Sequence, residues 1–507
     1  MSLPDWVEPL FEAEEMRAVD AWAIEEQGVP SLALMESAGE GLARAVAAFA
    51  RPGPVRVVVG RGNNGGDGLV VARLLRDEGR EVDVLALGDV GDLRGDARKN
   101  LDRLPGAPPR PYTEGCLNGS GVVVDALLGT GFSGEVREPA ASAIEAINTQ
   151  PAPVVACDVP SGVDASTGRV EGAAVRATTT ATFHGSKVGL QVAPGTLHAG
   201  TVSVVNIGVP RGAPTGERAG LITDRILNLY PRRPSDGSKF TSGVVVVAGG
   251  ARGLTGAPTM AALSAQRAGA GYVQVAVPAS AQSTLELRLL EAMTRGLPDE
   301  DGGHTERGVV ALTEMSERAG AVVLGPGLGS TDGAIEFARA AARRVKVPLL
   351  LDADGLNAHA GDLEALGDRT HPTVLTPHEA ELGRLLGVST EAVAVDRLAC
   401  VRKAALLSRA VVLLKGADTI VARPNGVVAV SPGSTPALAT AGTGDVLSGL
   451  IGTLLAKGMD PFAAAALGAF AHGRAGIAAA RHHGVDHVIA GDVIECLPAG
   501  LGSVASR

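Results

Sequence analysis

Apolar runs that stop at glycine-rich, polar turns constrain this chain more than any other feature. The β-branched run Val55–Val59 leads into Gly60-Arg61-Gly62-Asn63-Asn64-Gly65-Gly66-Asp67-Gly68. Further candidate strands stand at Val82–Leu87, Val122–Val124, Val154–Ala156, Thr180–Phe183 and Val202–Val205. Several are apolar throughout, as strands read when both faces of a sheet are covered. Helical text separates them. Glu12–Glu26 carries Met16, Val19, Ala23 and Ile24 on a helical period, and Leu32–Phe49 and Leu69–Glu78 read the same way. Alternation of this kind predicts an α/β fold with a parallel sheet and helices on both faces.

The alternation breaks at Gly208–Gly220, the best linker in the chain by composition. A second series then begins, with strands predicted at Val244–Ala248, Tyr272–Val277, Ala321–Leu324, Leu349–Asp352, Thr373–Leu375 and Val411–Leu414. A hairpin, Thr419–Ala422 and Val427–Val430, turns at Arg423–Gly426. The last third reads as helices over Asp445–Lys457, Pro461–Ala480 and around Asp492–Cys496. At roughly 150 residues per domain, a chain of 507 residues suits two large α/β domains.

Composition removes several functions. A formal charge of −10 and an aromatic content of 3% argue against a nucleic-acid partner. Cys116, Cys157, Cys400 and Cys496 form no CxxC pair, which argues against a disulfide scaffold or a structural zinc. The start, MSLPDWVEPL, lacks the basic and apolar regions of a signal peptide. No apolar stretch of about 20 residues reads as a membrane span; the Ala-rich Pro461–Ala480 is interrupted by His472 and Arg474. The expectation is a cytoplasmic protein without a membrane partner.

The loops of the first half share one chemistry. Gly60, Gly62 and Gly65 satisfy GxGxxG after a strand, but Asp67 would set negative charge where a pyrophosphate should lie. The next two strand ends read Asp125-Ala126-Leu127-Leu128-Gly129-Thr130-Gly131-Phe132-Ser133-Gly134 and Asp158-Val159-Pro160-Ser161-Gly162. In a parallel sheet these ends meet on the ligand-binding side. Oxygen donors from Asn64, Asp125 and Ser161 would suit a hard cation, because no thiolate or imidazole accompanies them. Lys187, in a glycine-flanked loop, suits phosphate neutralisation or proton transfer.

In the second half the strongest signal is Ala441-Gly442-Thr443-Gly444-Asp445, opening a helix. Its amides would form an anion hole. Asp445 is badly placed to bind an anion and well placed to deprotonate a hydroxyl that attacks phosphorus. Neither GxxxxGK[ST], HExxH nor GxSxG occurs, which excludes a P-loop and argues against metalloprotease and serine-hydrolase readings. His482, His483 and His487 read as solvated residues.

Both halves resemble known families. The first resembles the NAD(P)H-hydrate epimerase (YjeF N-terminal) family through NNGGDG, DALLGTGFSG, DVPSGVD and Lys187 with Gly189. The second resembles the ADP-dependent NAD(P)H-hydrate dehydratases, which are ribokinase-like. It does so through GPGLG at Gly325–Gly329, LDADGLN at Leu351–Asn357, LTPHEAE at Leu375–Glu381, LKGADT at Leu414–Thr419 and ATAGTGDVLSG at Ala439–Gly449. The order of the two is that of the bifunctional bacterial repair enzymes.

The resemblance implies a Rossmann-like three-layer epimerase domain over residues 1–212, a linker at 213–220 and a ribokinase-like dehydratase domain over 221–507. It implies two substrates, NADHX and NADPHX, which are NADH and NADPH carrying water across a nicotinamide double bond at C6. The first domain would interconvert their R and S forms. The second would phosphorylate the S form with ADP and release phosphate. It further implies potassium held by Asn64, Asp125 and Ser161, and a hydrate pocket of Asn63, Asn64, Gly65, Gly66, Asp67, Gly129, Thr130, Gly131, Phe132, Ser133, Gly134, Glu135 and Asp158. Asp158 and Lys187 would handle the proton or the phosphate.

In the second domain the resemblance makes Asp445 the base, and Gly442 and Gly444 the phosphoryl stabilisers. ADP, with magnesium, would lie on Lys415, Gly416, Ala417, Asp418 and Thr419, and on Ser434, Thr435, Pro436, Ala437, Leu438, Ala439, Thr440, Ala441, Gly442, Thr443 and Gly444. Ala257, Gly327 and His378 would touch the hydrate together with Asp445. A homo-oligomer is expected. Three departures stand out: Asp236-Gly237-Ser238-Lys239 replaces the family's His-Lys-Gly, Gly355 an alanine, and Glu379-Ala380 a Pro-Gly. The alternative enzyme is a small-alcohol kinase of the ribokinase-like class fused to a nucleotide-binding module.

Overall fold

Seven parallel strands carry the first of two units, Pro9–Ala219, in the computed structural model. Residues 3–49, 51–214, 216, 218–233 and 235–502 are described. The strand order is Arg110–Pro111, Val82–Ala86, Val55–Val59, Val122–Ala126, Val154–Cys157, Thr179–Phe183, Thr201–Val205. Counted along the chain this is 3-2-1-4-5-6-7, a doubly wound order whose direction reverses between Val55–Val59 and Val122–Ala126. Val57 and Val59 pack with the helices Ser31–Ala47 and Asn63–Asp77, whereas Val58 packs on the opposite face with Ile144 and Ile147 of Ala140–Asn148. Both faces are thus covered, which is why the strands are apolar throughout and why three layers form.

The second unit joins the chain from Gly220 onward to the segment ending at Glu8. Its sheet has eleven strands. Met293–Leu297, Tyr272–Pro278, Val244–Ala248, Ala321–Leu324, Leu349–Leu351, Thr373–Leu375 and Val411–Leu414 lie side by side and parallel. Ile420–Ala422 and Val428–Val430 follow as an antiparallel hairpin, closed by Gly426 N–H donating to the Arg423 carbonyl at 3.0 Å. Ala219–Ile222 and Val7–Leu10 complete the edge. Val245 and Val247 face the helices Gly256–Arg267, Thr443–Ala456 and Pro461–His483, and Val246 between them is equally buried. Asp460 caps the long helix, accepting from the Phe462 and Ala463 amides, and Pro461 opens it.

Several elements depart from the sequence reading. The helix read as Leu69–Glu78 begins at Asn63, so NNGGDG is helical rather than a loop. Similarly, the helix read from Asp445 starts at Thr443. Val7–Leu10, Arg110–Pro111 and Met293–Leu297 were invisible because short edge strands carry little apolar signal. The segment up to Glu8, read within residues 1–212, is part of the second unit: Trp6 is buried there against Phe462, ring centroids 5.6 Å apart. Within the expected linker 213–220, residues 215 and 217 lie outside the described residues, and Ala219 and Gly220 already belong to a strand.

Candidate active sites

The first site sits at the reversal of the strand order. Gly60 leaves one of the two central strands and Leu127 the other. A Cβ on Gly60 would strike the Leu127 carbonyl, and one on Gly65 the Gly60 carbonyl. The glycines therefore serve close approach of a helix to a sheet, not loop freedom. That approach aims Asn63, Asn64 and Asp67 into a cavity of about 850 Å3, whose wall also includes Gly129, Thr130, Gly131, Phe132, Asp158 and Lys187.

Asp158 is held at φ 63°, the left-handed region that non-glycine residues seldom adopt. Its carboxylate accepts from the Thr130 hydroxyl, from the Phe183 amide at 3.1 Å and from Lys187 Nζ at 2.5 Å. Burial alone would raise its pKa, but Lys187 and these hydrogen bonds outweigh it and hold Asp158 below the usual carboxylate range. Behind this pair lies a layer of oxygen donors. Asp125 is fully buried and accepts from the Ser161 amide at 2.8 Å, the Ser161 hydroxyl at 2.6 Å and the Leu127 amide at 3.3 Å. Asn64 Nδ2 donates to the Leu128 carbonyl at 2.9 Å, and the Leu128 amide donates to Ser161 Oγ at 2.9 Å. Burial pushes Asp125 up to about 6, only partly countered by the Ser161 and Leu127 hydrogen bonds.

The second site forms at the start of Thr443–Ala456. Gly442 takes φ 92° at the N-cap, and no side chain caps the helix, so its first amides remain available to an anion. Asp445 lies in that first turn. Burial, Asp352 and Asp354 raise its pKa and Lys415 opposes them, leaving it at about 7. Lys415 Nζ lies 2.9 Å from Asp352 Oδ1 and 3.6 Å from Glu381 Oε2. Asp352 also accepts from Thr376 Oγ1 at 2.9 Å and Ser448 Oγ at 2.7 Å. The buried Arg397 braces this loop, donating to the Lys415 carbonyl at 3.2 Å and pairing with Asp418.

A slot of about 490 Å3 opens beside these groups. Lys415, Gly416, Ala417, Thr419, Ser434, Thr435, Pro436, Leu438, Ala439, Thr443 and Gly444 line it. Asp418, Ala437, Thr440, Ala441 and Gly442 do not, and Asp418 instead serves as the buried partner of Arg397. Gly327 and Ala257 are neighbours outside the slot: a Cβ on Gly327 would lie 3.1 Å from the Ala257 Cβ. His378 caps the helix Glu379–Leu386, its Nδ1 accepting from the Ala380 amide at 3.1 Å, and it too lies outside the slot.

In the first unit, Gly65, Gly66, Ser133, Gly134 and Glu135 lie off the cavity wall. Sequence reasoning missed Met16, Arg17, Asp20, Met35 and Phe183 on that wall. In the second it missed Ala469, His472 and Gly473. His472 bonds to the Thr443 main chain, and burial drops its pKa to about 4, so its ring is neutral. Its Nε2 has no hydrogen-bond partner among the described residues. Apart from Phe183, which ends a strand, these residues sit on helices, and no local pattern marks them. His482, His483 and His487 are exposed, and no three His, Cys, Asp or Glu side chains converge on a metal position among the described residues. No helix among them is long and apolar enough to cross a membrane.

The two halves match known families separately. The YjeF-related protein N-terminus family matches residues 31–189, and the NAD(P)H-hydrate dehydratase family matches 245–499. The bifunctional NAD(P)H-hydrate repair enzyme Nnr of Moorella thermoacetica is 40% identical, with 96% of each chain covered. That of Salinibacter ruber is 42% identical, over 97% of this chain and 95% of its own. Among solved structures, a ribokinase-like superfamily protein from Enterococcus faecalis is 26% identical at TM-score 0.49, over 57% of this chain and 97% of its own. The ADP/ATP-dependent NAD(P)H-hydrate dehydratase from Bacillus subtilis is 25% identical at TM-score 0.48, over 55% and 96%. With both families matched in this order and the relatives aligned along nearly their whole length, the chain belongs to the family of bifunctional NAD(P)H-hydrate repair enzymes.

Proposed function

We infer that this chain restores hydrated nicotinamide nucleotides: the first unit interconverts the R and S forms of NADHX and NADPHX, and the second dehydrates the S form at the expense of ADP. The observation that carries the second activity is Asp445, poised at about 7 in the first turn of an uncapped helix beside Lys415. In its ionised form it takes the proton of the C6 hydroxyl as that oxygen attacks the β-phosphorus of ADP. The Gly442 to Gly444 backbone receives the transferring phosphoryl group, and Lys415 balances its charge. Phosphate leaves far more readily than hydroxide, so elimination then restores the ring double bond. ADP lies in the slot on Lys415, Gly416, Ala417 and Thr419 and on Ser434, Thr435, Pro436, Leu438, Ala439 and Thr443, with the hydrate toward Ala257, Gly327 and His378.

For the first activity, Asp158 and Lys187 form the polar centre of the cavity. Asn64, Asp125 and Ser161 fit a potassium ion: all offer oxygen, and Asp125 is a buried carboxylate with no cation beside it among the described residues. When bound, the ion supplies the positive charge that keeps Asp125 ionised and the Leu128 loop ordered. Magnesium suits the nucleotide. It keeps waters and phosphate oxygens in its shell, and needs at most one or two carboxylates near Lys415. The cytoplasm is the expected compartment. A homo-oligomer is supported by Leu287 and Leu290, each 85% exposed next to the edge strand Met293–Leu297.

The test is a racemic mixture of R and S NADH hydrate with ADP, magnesium and potassium, followed by absorbance of reduced nicotinamide. Conversion of both epimers is expected, stopping at the S fraction in Asp158→Ala. No recovery of NADH with ADP or ATP would refute the repair reading, and a stable phosphorylated product would support a small-alcohol kinase instead.

A further inference from the structure

Lys187 has no proton contact left to offer a substrate. An ammonium has three N–H donors, and these go to Asp158 Oδ1 at 2.5 Å, Thr182 Oγ1 at 3.0 Å and the Phe183 carbonyl at 2.8 Å. Its side chain is 1% exposed. Asp158 Oδ1 takes two further hydrogen bonds, from Thr182 Oγ1 at 3.2 Å and the Phe183 amide at 3.1 Å, and Oδ2 accepts from Thr130. Such a carboxylate is an acceptor only. The pair can receive a proton but has none to supply.

Epimerisation needs a supplier. C6 of the hydrate bears its hydroxyl next to the ring nitrogen N1, and that hydroxyl leaves as water only if a proton accompanies it. One other carboxyl on the cavity wall is deeply buried. Asp67, carried by the helix Asn63–Asp77, is 8% exposed, and its Oδ2 meets the Cys157 thiol at 4.0 Å. No cation pairs with it among the described residues. The charged groups that face it are Asp158, Asp20 and Lys187. Burial and the first two favour its protonated form, and Lys187 opposes them weakly.

We propose that Asp67 is the proton donor of the epimerisation and Asp158 the acceptor, with Lys187 acting only to position and ionise Asp158. The proposal rests on the epimerase reading of the first unit. Asp67 gives its proton to the C6 hydroxyl, the C6–O bond breaks and water departs. The N1 lone pair forms an N1=C6 bond, and the resulting cation lies between two carboxylates, Asp67 and Asp158. A water adds to the other ring face, the electron pair returns to N1, and the water's surplus proton passes to Asp158. One proton has moved from Asp67 to Asp158 and the configuration at C6 is inverted. Before the next turnover Asp158 releases its proton to water and Asp67 takes one up, which resets the pair.

The test uses the full chain with purified R hydrate, ADP, magnesium and potassium. Asp67→Asn is isosteric with the protonated acid. It is expected to lower kcat for the R form by on the order of 100-fold or more, with turnover of the S form by the second unit unchanged. Asp67→Glu is expected to recover part of the rate. Activity on the R form should fall as pH rises and Asp67 loses its proton. Independently of turnover, the infrared difference between wild type and Asp67→Asn at neutral pH should contain a protonated carboxyl band. R turnover by Asp67→Asn close to wild type, or no such band, overturns the proposal and leaves the epimerase reading standing. Failure of the wild-type chain to use R hydrate, while it still uses S, removes both.

Discussion

The two sites hold the same pair of residue types, a lysine against a buried aspartate, and put them to opposite uses. In the first unit Lys187 commits its whole ammonium to Asp158 and its immediate neighbours. The carboxylate is driven below its ordinary range. In the second unit Lys415 is shared between Asp352 and Glu381. Asp445 feels only part of that shared charge, so burial and like charges outweigh it and Asp445 rests at about 7. A cation spent on one carboxylate makes it an anion at rest. A cation already claimed by others leaves the next carboxylate poised to titrate at neutral pH.

The sharpest way to break this comparison is at Asp445. Asp445→Asn should lower dehydration of the S epimer by on the order of 10²–10⁴-fold, while epimer exchange, followed chromatographically, continues. Lys187→Met should act on stability instead. It leaves the buried Asp158 without its charged partner, a change that costs about 3–5 kcal/mol, read from chemical denaturation. The sign with pH follows from the direction of the Asp158 shift. Because its folded-state pKa lies below the usual value, the stabilisation is complete at neutral pH and is lost as the pH falls through the carboxylate range. Lys187→Met should abolish that acid sensitivity of the first unit.

Gly60→Ala would push a methyl group into the Leu127 carbonyl. Overpacking of this kind costs about 1–3 kcal/mol, and potassium dependence of epimerisation should weaken with it. The pH profile of S-epimer turnover sharpens the contrast further. It should rise through about 7 as Asp445 ionises and then level off. Asp352→Asn removes a negative neighbour and should move that limb to lower pH. The smallest effect is expected at His472. Replacing it by leucine removes a neutral acceptor from the nucleotide slot, and loss of one hydrogen bond, about 0.5–1.5 kcal/mol, should raise the KM for ADP about 2–10-fold while kcat holds.

Much of this was legible before any coordinates. The valine runs at Val55–Val59 and Val244–Ala248 are strands, because a run that is apolar on both faces has few other ways to be buried. Asp445 was legible as an acid in the first turn of a glycine-opened helix, which is where the structure has it. The glycines of NNGGDG misled, since glycine marks close packing as well as turns: Gly65 and Gly68 let a helix lie almost on a strand. His472 and Asp20 were illegible as site residues, because only tertiary packing carries them to their cavities. The short edge strands have no periodicity to read.

The N-terminal edge strand has a consequence for biosynthesis. Val7–Leu10 pairs with Ala219–Ile222, and its neighbour Trp6 receives a hydrogen bond from the Thr223 hydroxyl at 2.9 Å. At a translation rate of about 5–20 residues per second, roughly 10–40 s pass between the making of the two strands. These residues wait through the whole emergence of the first unit before their partner exists. A bare edge strand and a tryptophan must therefore be kept from wrong partners during that interval. A gene split at the linker would leave each fragment with a fault: the first with an orphan strand, the second with an unfinished edge.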